Sequence, residues 1–138
     1  MRETKFRGKR LDNGEWIEGD LLRMNGHWFI FPDPAPEGID KYAVDPATIG
    51  EFTGLKDKNG KDVWEGDIIR FSNPYLIISQ GKQSFGIVKY YDALAGFALY
   101  NSSEDKFPVE CDWLKIDGST KVFGNIHDNP KFLKGGEQ

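Results

Sequence analysis

The stretch Phe52-Thr-Gly-Leu-Lys-Asp-Lys-Asn-Gly-Lys-Asp-Val-Trp-Glu-Gly-Asp-Ile-Ile-Arg-Phe71 decides how this chain folds. An Asn-Gly pair, Asn59-Gly60, stands between two short β-prone runs. It marks a hairpin, because both central residues of a type I′ turn need positive φ. Ile68-Ile69 and Phe71 make the second run apolar on both faces, so the strand must be covered on both sides or lie at an interface. The same pattern occurs earlier in the chain. Phe6-Arg-Gly8 matches Phe52-Thr-Gly54, and Asn13-Gly14 matches Asn59-Gly60, each displaced by 46 positions. After a one-residue insertion, Glu18-Gly-Asp-Leu-Leu-Arg23 aligns with Glu65-Gly-Asp-Ile-Ile-Arg70. Eight of the 18 residues from Phe6 to Arg23 are identical in the second copy, where about one is expected from ordinary residue usage. Two copies are too few for a solenoid, so each copy is expected to build half of one sheet system.

The structural reading assigns Asn13, Gly14, Asn59 and Gly60 to turns and Gly19 and Gly66 to bends. Asp20 and Asp67 are expected to accept hydrogen bonds from backbone donors at those bends. Taken as acid–base or metal-binding pairs instead, Glu18/Asp20 and Glu65/Asp67 lack an accompanying His, and the turn role is the better reading.

The rest of the chain continues this style. Expected strands are Lys5–Leu11, Glu15–Arg23, His27–Phe31, Lys41–Val44, Ile49–Thr53, Asp62–Phe71, Phe85–Tyr91, Phe97–Tyr100 and Lys121–Ile126. The run Tyr75–Ile78 lies in a polar loop, and Phe107–Ile116 fits a strand or a helical turn. Pro32–Gly38 is too rich in proline for a ladder. Asn129-Pro130 opens a short terminal helix, Pro130–Lys134, with Asp128 and Asn129 as its caps and His127 facing solvent.

Composition supports one small, turn-rich domain spanning residues 1–138. The 138 residues include 16 Gly and 7 Pro, above the ordinary share of about 12%. Aromatics make up 14% of the chain, against disorder. There is no apolar run of membrane-spanning length and no signal-peptide core. Cys111 is the single cysteine, which excludes an intrachain disulfide and favours the reducing cytoplasm. Its neighbours Glu110 and Asp112 oppose thiolate formation, so a structural thiol is expected.

Three segments, Phe52–Lys61, Trp64–Phe71 and Phe123-Gly-Asn-Ile-His-Asp-Asn-Pro130, resemble the YopX protein family. Lys5-Phe-Arg-Gly-Lys9 and Trp16-Ile-Glu-Gly-Asp20 fit it too, so the likeness spans nearly the whole chain. It implies a mainly β fold, a bifurcated antiparallel sheet curled into a pseudo-barrel. It also implies a phage or prophage gene and the cytoplasm of the bacterial host, and it implies no activity. Ser72–Gly81 falls where members of the family vary most.

His27 and His127 lie in no metal spacing, and phosphate-binding and nucleophile motifs are absent. The sequence therefore leads to a non-catalytic binding module with no cofactor and no metal, acting on a protein partner and self-associating. Trp64, Tyr90, Tyr91, His127 and Asp128 are the candidate binding residues. Tyr90 and Tyr91 cannot both point inward from one strand, and one is expected outside. The alternative is a single-stranded nucleic-acid binder. It would use Arg2, Lys5, Arg7 and Lys9, the last three on one face of a strand, with the aromatics as a stacking platform. A net charge of −4 ranks nucleic acid below protein as the partner.

Overall fold

Asn25-Gly26 does what its chemistry requires. Both residues have positive φ, 51° and 79°, and they join β2 (Trp16–Met24) to β3 (His27–Phe31) in a two-residue turn. The computed structural model describes residues 4–34, 38–71, 84–100, 106, 108, 114 and 120–130. Tyr75–Ile78, Arg2, Cys111, Trp113 and residues 131–134 of the expected terminal helix lie outside the described residues. The chain is mainly β, with antiparallel pairing throughout its described ladders. It divides into two compact units, Met1–Phe52 and Thr53–Gln138.

In the first unit, β1 (Phe6–Lys9) pairs β2 from Lys9 opposite Trp16 to Phe6 opposite Gly19. The Asn13-Gly14 link between them is not a type I′ turn. Gly14 alone takes positive φ, 73°. Its N–H donates to the Arg10 carbonyl, and the Asn13 Oδ1 accepts the Glu15 N–H at 2.9 Å. Because the Asn side chain supplies an acceptor, the loop lengthens and Asn13 keeps an ordinary conformation.

The expected strand Lys41–Val44 is replaced by a 3-10 turn, Ile39–Tyr42, followed by single bridges from Ala43 to Phe29 and from Val44 to Arg10. Pairing stops there because Asp45 caps the next 3-10 turn, Pro46–Thr48, by accepting the Ala47 N–H. Ile30 and Val44 are buried at the centre of this unit. The first residues of β4 (Gly50–Lys56) then pair β1, Gly50 opposite Arg7 and Glu51 opposite Phe6.

In the second unit, the rest of β4 lies beside β5 (Asp62–Trp64). A four-stranded sheet follows in the order β8-β7-β6-β9, built from β6 (Asp67–Phe71), β7 (Ser84–Tyr91), β8 (Gly96–Tyr100) and β9 (Lys121–Asn125). On β6, Ile68 and Ile69 are both fully buried. Ile69 packs with Val63, Val88, Phe97 and Val122, while Ile68 packs with Ile87, Phe85 and Ile126. The two-sided apolar strand is covered on both faces.

The two copies of Glu-Gly-Asp part company here. The first stays within the continuous strand β2. A Cβ on Gly19 would run into the Phe31 carbonyl and lie 2.9 Å from the Pro32 nitrogen, so glycine is there for close strand approach. The second copy breaks the expected strand Asp62–Phe71 into β5 and β6. Gly66 has φ 93°, and the Asp67 Oδ2 accepts the Trp64 N–H at 2.8 Å. The Gly66 N–H donates to the Val88 carbonyl, and the Gly66 carbonyl accepts the Ile126 N–H.

The turn before β5 rests on Asp57, which is 7% exposed. Its Oδ1 accepts the Asn59 and Lys61 N–H groups, and its Oδ2 accepts the Val122 N–H, all at 2.9 Å. Burial alone would push this carboxyl up, but the three donors and the Lys61 charge hold it below the ordinary aspartate value. Above the unfolded-state pKa the aspartate is ionised in both states and its contribution to stability is complete. As pH falls from about 4, the unfolded chain takes up the proton first and the contribution is lost through the folded pKa. Asp57→Ala is expected to cost about 3 kcal/mol at neutral pH, the scale of charge-assisted bonds and orphaned donors. In urea melts, the gap between wild type and Asp57→Asn should narrow from pH 7 to pH 3.

Candidate functional site

Strand direction gathers the candidate residues. β6 runs antiparallel to β7 and β9, and β7 runs antiparallel to β8. The C-terminal ends of β7 and β9 therefore share one end of the sheet with the N-terminal ends of β6 and β8. Tyr90 and Tyr91 close β7, Asp67 opens β6, and His127 and Asp128 follow β9.

Tyr90 is 42% exposed, and its ring meets Phe97 edge-on at 5.5 Å. Tyr91 is half-buried and lies edge-on to Tyr100 at 6.5 Å. Burial, then the neighbouring Tyr91 and Asp92, push the Tyr100 hydroxyl above its ordinary pKa. The Lys89 Nζ sits 4.6 Å from the Tyr100 ring centroid. Trp64, expected among the binding residues, is only 4% exposed. Its side chain belongs to the interior, with the neighbouring Val63, and offers no face to a partner.

His127 and Asp128 belong to a loop organised by Asn125. The Asn125 Oδ1 accepts the His127 and Asp128 N–H groups, and its Nδ2 donates to the Asp128 Oδ2 at 3.0 Å. Asn129 returns its Oδ1 to the Asn125 N–H, and its own N–H donates to the Asn125 carbonyl. Asp128 and Asn129 thus secure this loop, and the helix they are expected to cap lies outside the described residues. His127 is half-buried with its ring beside Gly66 instead of facing solvent, 3.5 Å from where a Cβ there would lie.

Sequence reasoning missed Phe123. Val122 pairs with Ile69 and Gly124 with Ile68, so Phe123 is the extra residue of a β-bulge. Alternation along β9, with Val122 buried, turns its ring outward at that bulge. It is 44% exposed and meets Phe85 edge-on at 5.1 Å. The available signal was plain alternation, with Lys121 outward, Val122 inward and Phe123 outward again.

The basic row lies on β1. Lys5, Arg7 and Lys9 share a face, as alternation demands. The Arg7 Cζ sits 4.5 Å and the Lys9 Nζ 5.3 Å from the Trp16 ring centroid, while the Lys5 Nζ lies 4.7 Å from the Phe52 ring. Lys5 also approaches Glu18 at 3.9 Å. These cations cover aromatic rings as much as they face solvent. Among the described residues, no group of three or more His, Cys, Asp or Glu is placed to hold a metal ion, and no helix is long and apolar enough to cross a membrane.

The family model for YopX protein matches residues 5–134. The chain belongs to the YopX protein family. Its fold is similar to the crystal structure of protein EF1440 from Enterococcus faecalis, with a TM-score of 0.58 and 25% sequence identity over 97% of this chain and 100% of that one. A comparison with curated proteins found no match. In this YopX chain the turn at Gly66 and the loop after β9 are joined by the Ile126 N–H and the His127 ring. The Asn125 side chain therefore carries more than its own loop. Asn125→Ala should cost about 2 kcal/mol in urea unfolding, since it leaves the His127 and Asp128 N–H groups without the acceptor that holds them. His127→Ala should cost clearly less.

Proposed function

We propose that this YopX chain is a phage- or prophage-encoded, non-catalytic protein-interaction module that self-associates and acts in the cytoplasm of the bacterial host. The observation that carries the reading is Phe123, a large ring exposed at a bulge of β9 and steadied by Phe85. An aromatic held in place loses little conformational freedom on contact and buries much apolar area, the usual chemistry of an interface anchor. Tyr90 supports the same use elsewhere on the sheet, exposed yet held against Phe97.

A second reading, single-stranded nucleic-acid binding by Lys5, Arg7 and Lys9 beside Trp16, draws on the shared face of those cations. It requires oligonucleotide binding at about 50 mM salt that weakens as salt rises.

The test is Phe123→Ser. Its stability should fall by no more than about 1 kcal/mol, the worth of the edge contact with Phe85. Its self-association, read by light scattering against concentration, and its retention of host proteins should weaken roughly tenfold or more. A strictly monomeric wild type that retains nothing, or a Phe123→Ser variant that associates like wild type, overturns the reading. Salt-sensitive oligonucleotide binding by such a monomer would move the choice to nucleic acid.

A further inference from the structure

The chain holds three Asn-Gly pairs, and the fold treats them differently. An Asn-Gly pair is a site of spontaneous chemistry. The glycine nitrogen attacks the Asn Cγ, a new N–Cγ bond forms, and the Cγ–Nδ2 bond breaks. Ammonia leaves with the glycine proton, and water then opens the succinimide at either carbonyl to give aspartyl or isoaspartyl. The only co-reactant is water. The nucleophile is a backbone N–H that must give up its proton and swing toward the side chain, so a native hydrogen bond on that N–H opposes the reaction.

At two pairs the fold supplies such a bond. The Gly14 N–H donates to the Arg10 carbonyl at 2.9 Å, and the Gly60 N–H donates to the Asp57 carbonyl at 2.9 Å. The electrophile is held too at Asn13, whose Oδ1 accepts the Glu15 N–H. At Asn59 the backbone is anchored instead, its N–H donating to the buried Asp57 carboxylate. The third pair is built otherwise. Asn25 and Gly26 form the tip of the β2–β3 hairpin, both exposed. Exposure and open space are common to all three pairs, since Asn13-Gly14 and Asn59-Gly60 are exposed too and a side chain at Gly14, Gly26 or Gly60 would meet nothing within 4 Å. What separates the third pair is its glycine N–H. Among the described residues, the Gly26 N–H takes part in no hydrogen bond.

We propose that Asn25 is the preferred site of spontaneous succinimide formation in the folded chain, with Asn13 and Asn59 shielded by their turns. The isoaspartyl product places a carboxylate beside His27. It also adds a methylene to the main chain of a two-residue turn, which then no longer closes with β-hairpin geometry. Spontaneous ageing of this chain is thereby directed to one edge hairpin and away from the Asp57 turn.

The test incubates the full chain in mildly alkaline buffer and maps the peptides by mass spectrometry over time, with fragmentation that separates aspartyl from isoaspartyl. The same time course is run in denaturant. Conversion at Asn25 should run several-fold faster than at Asn13 or Asn59 in the folded chain, and that ranking should collapse in denaturant. Equal or slower conversion at Asn25 in the folded chain overturns the proposal. So does the same several-fold ranking in denaturant, because neighbouring residues rather than the fold would then set it.

Discussion

The Asp67 carboxylate, buried to 1% exposure, accepts the Trp64 N–H across the Glu65-Gly66 turn. The second unit depends on that closure. It ends β5 and starts β6 in a new direction, and β6 then takes its place between β7 and β9. Once there, Ile68 and Ile69 can seal opposite faces of the same sheet. The turn is also where the sheet is stitched at its end, through Gly66 to Val88 and from Ile126 back to Gly66. A buried carboxylate without donors would be costly, which makes the arrangement cooperative: turn, strand and loop form together.

The exposed aromatics follow from the same pairing. The bulge at Phe123 lies in the β6–β9 ladder, between the pairs made by Ile68 and Ile69. An aromatic directed outward by register is tied to the core, because moving it means repairing a ladder whose other side chains are sealed inside. Tyr90 owes its exposure to the end of β7 and its steadiness to Phe97 on β8. Both rings are surface features specified by strand pairing.

Much of this was legible in the residues, and the boundary is instructive. β3 was readable to the residue because Asn25-Gly26 demands a two-residue turn. β7 and β8 were readable from their apolar runs and the intervening Asp92–Gly96 segment. The split at Glu65-Gly66 was not, because the same tripeptide runs straight through β2, and bending relies on partners far along the chain at Val88 and Ile126. The Asn13-Gly14 and Asn59-Gly60 turns were located correctly but misassigned in type, since side-chain acceptors at Asn13 and Asp57 rescue a longer loop. Trp64 looked like a surface aromatic only because nothing local reveals that β5 is inward-facing. His127 looked like a solvent residue because the organising role of Asn125, which turns it toward Gly66, spans several backbone groups at once.

One motif, Glu-Gly-Asp, performs two different jobs, a straight strand in the first copy and a sealed turn in the second. Urea unfolding of Asp20→Ala and Asp67→Ala tests it most directly. Asp20 is exposed on β2, so its loss should change stability by no more than about 0.5 kcal/mol. Asp67→Ala should cost about 2–3 kcal/mol, because the buried Trp64 N–H is orphaned. Equal effects at the two positions would contradict the claim.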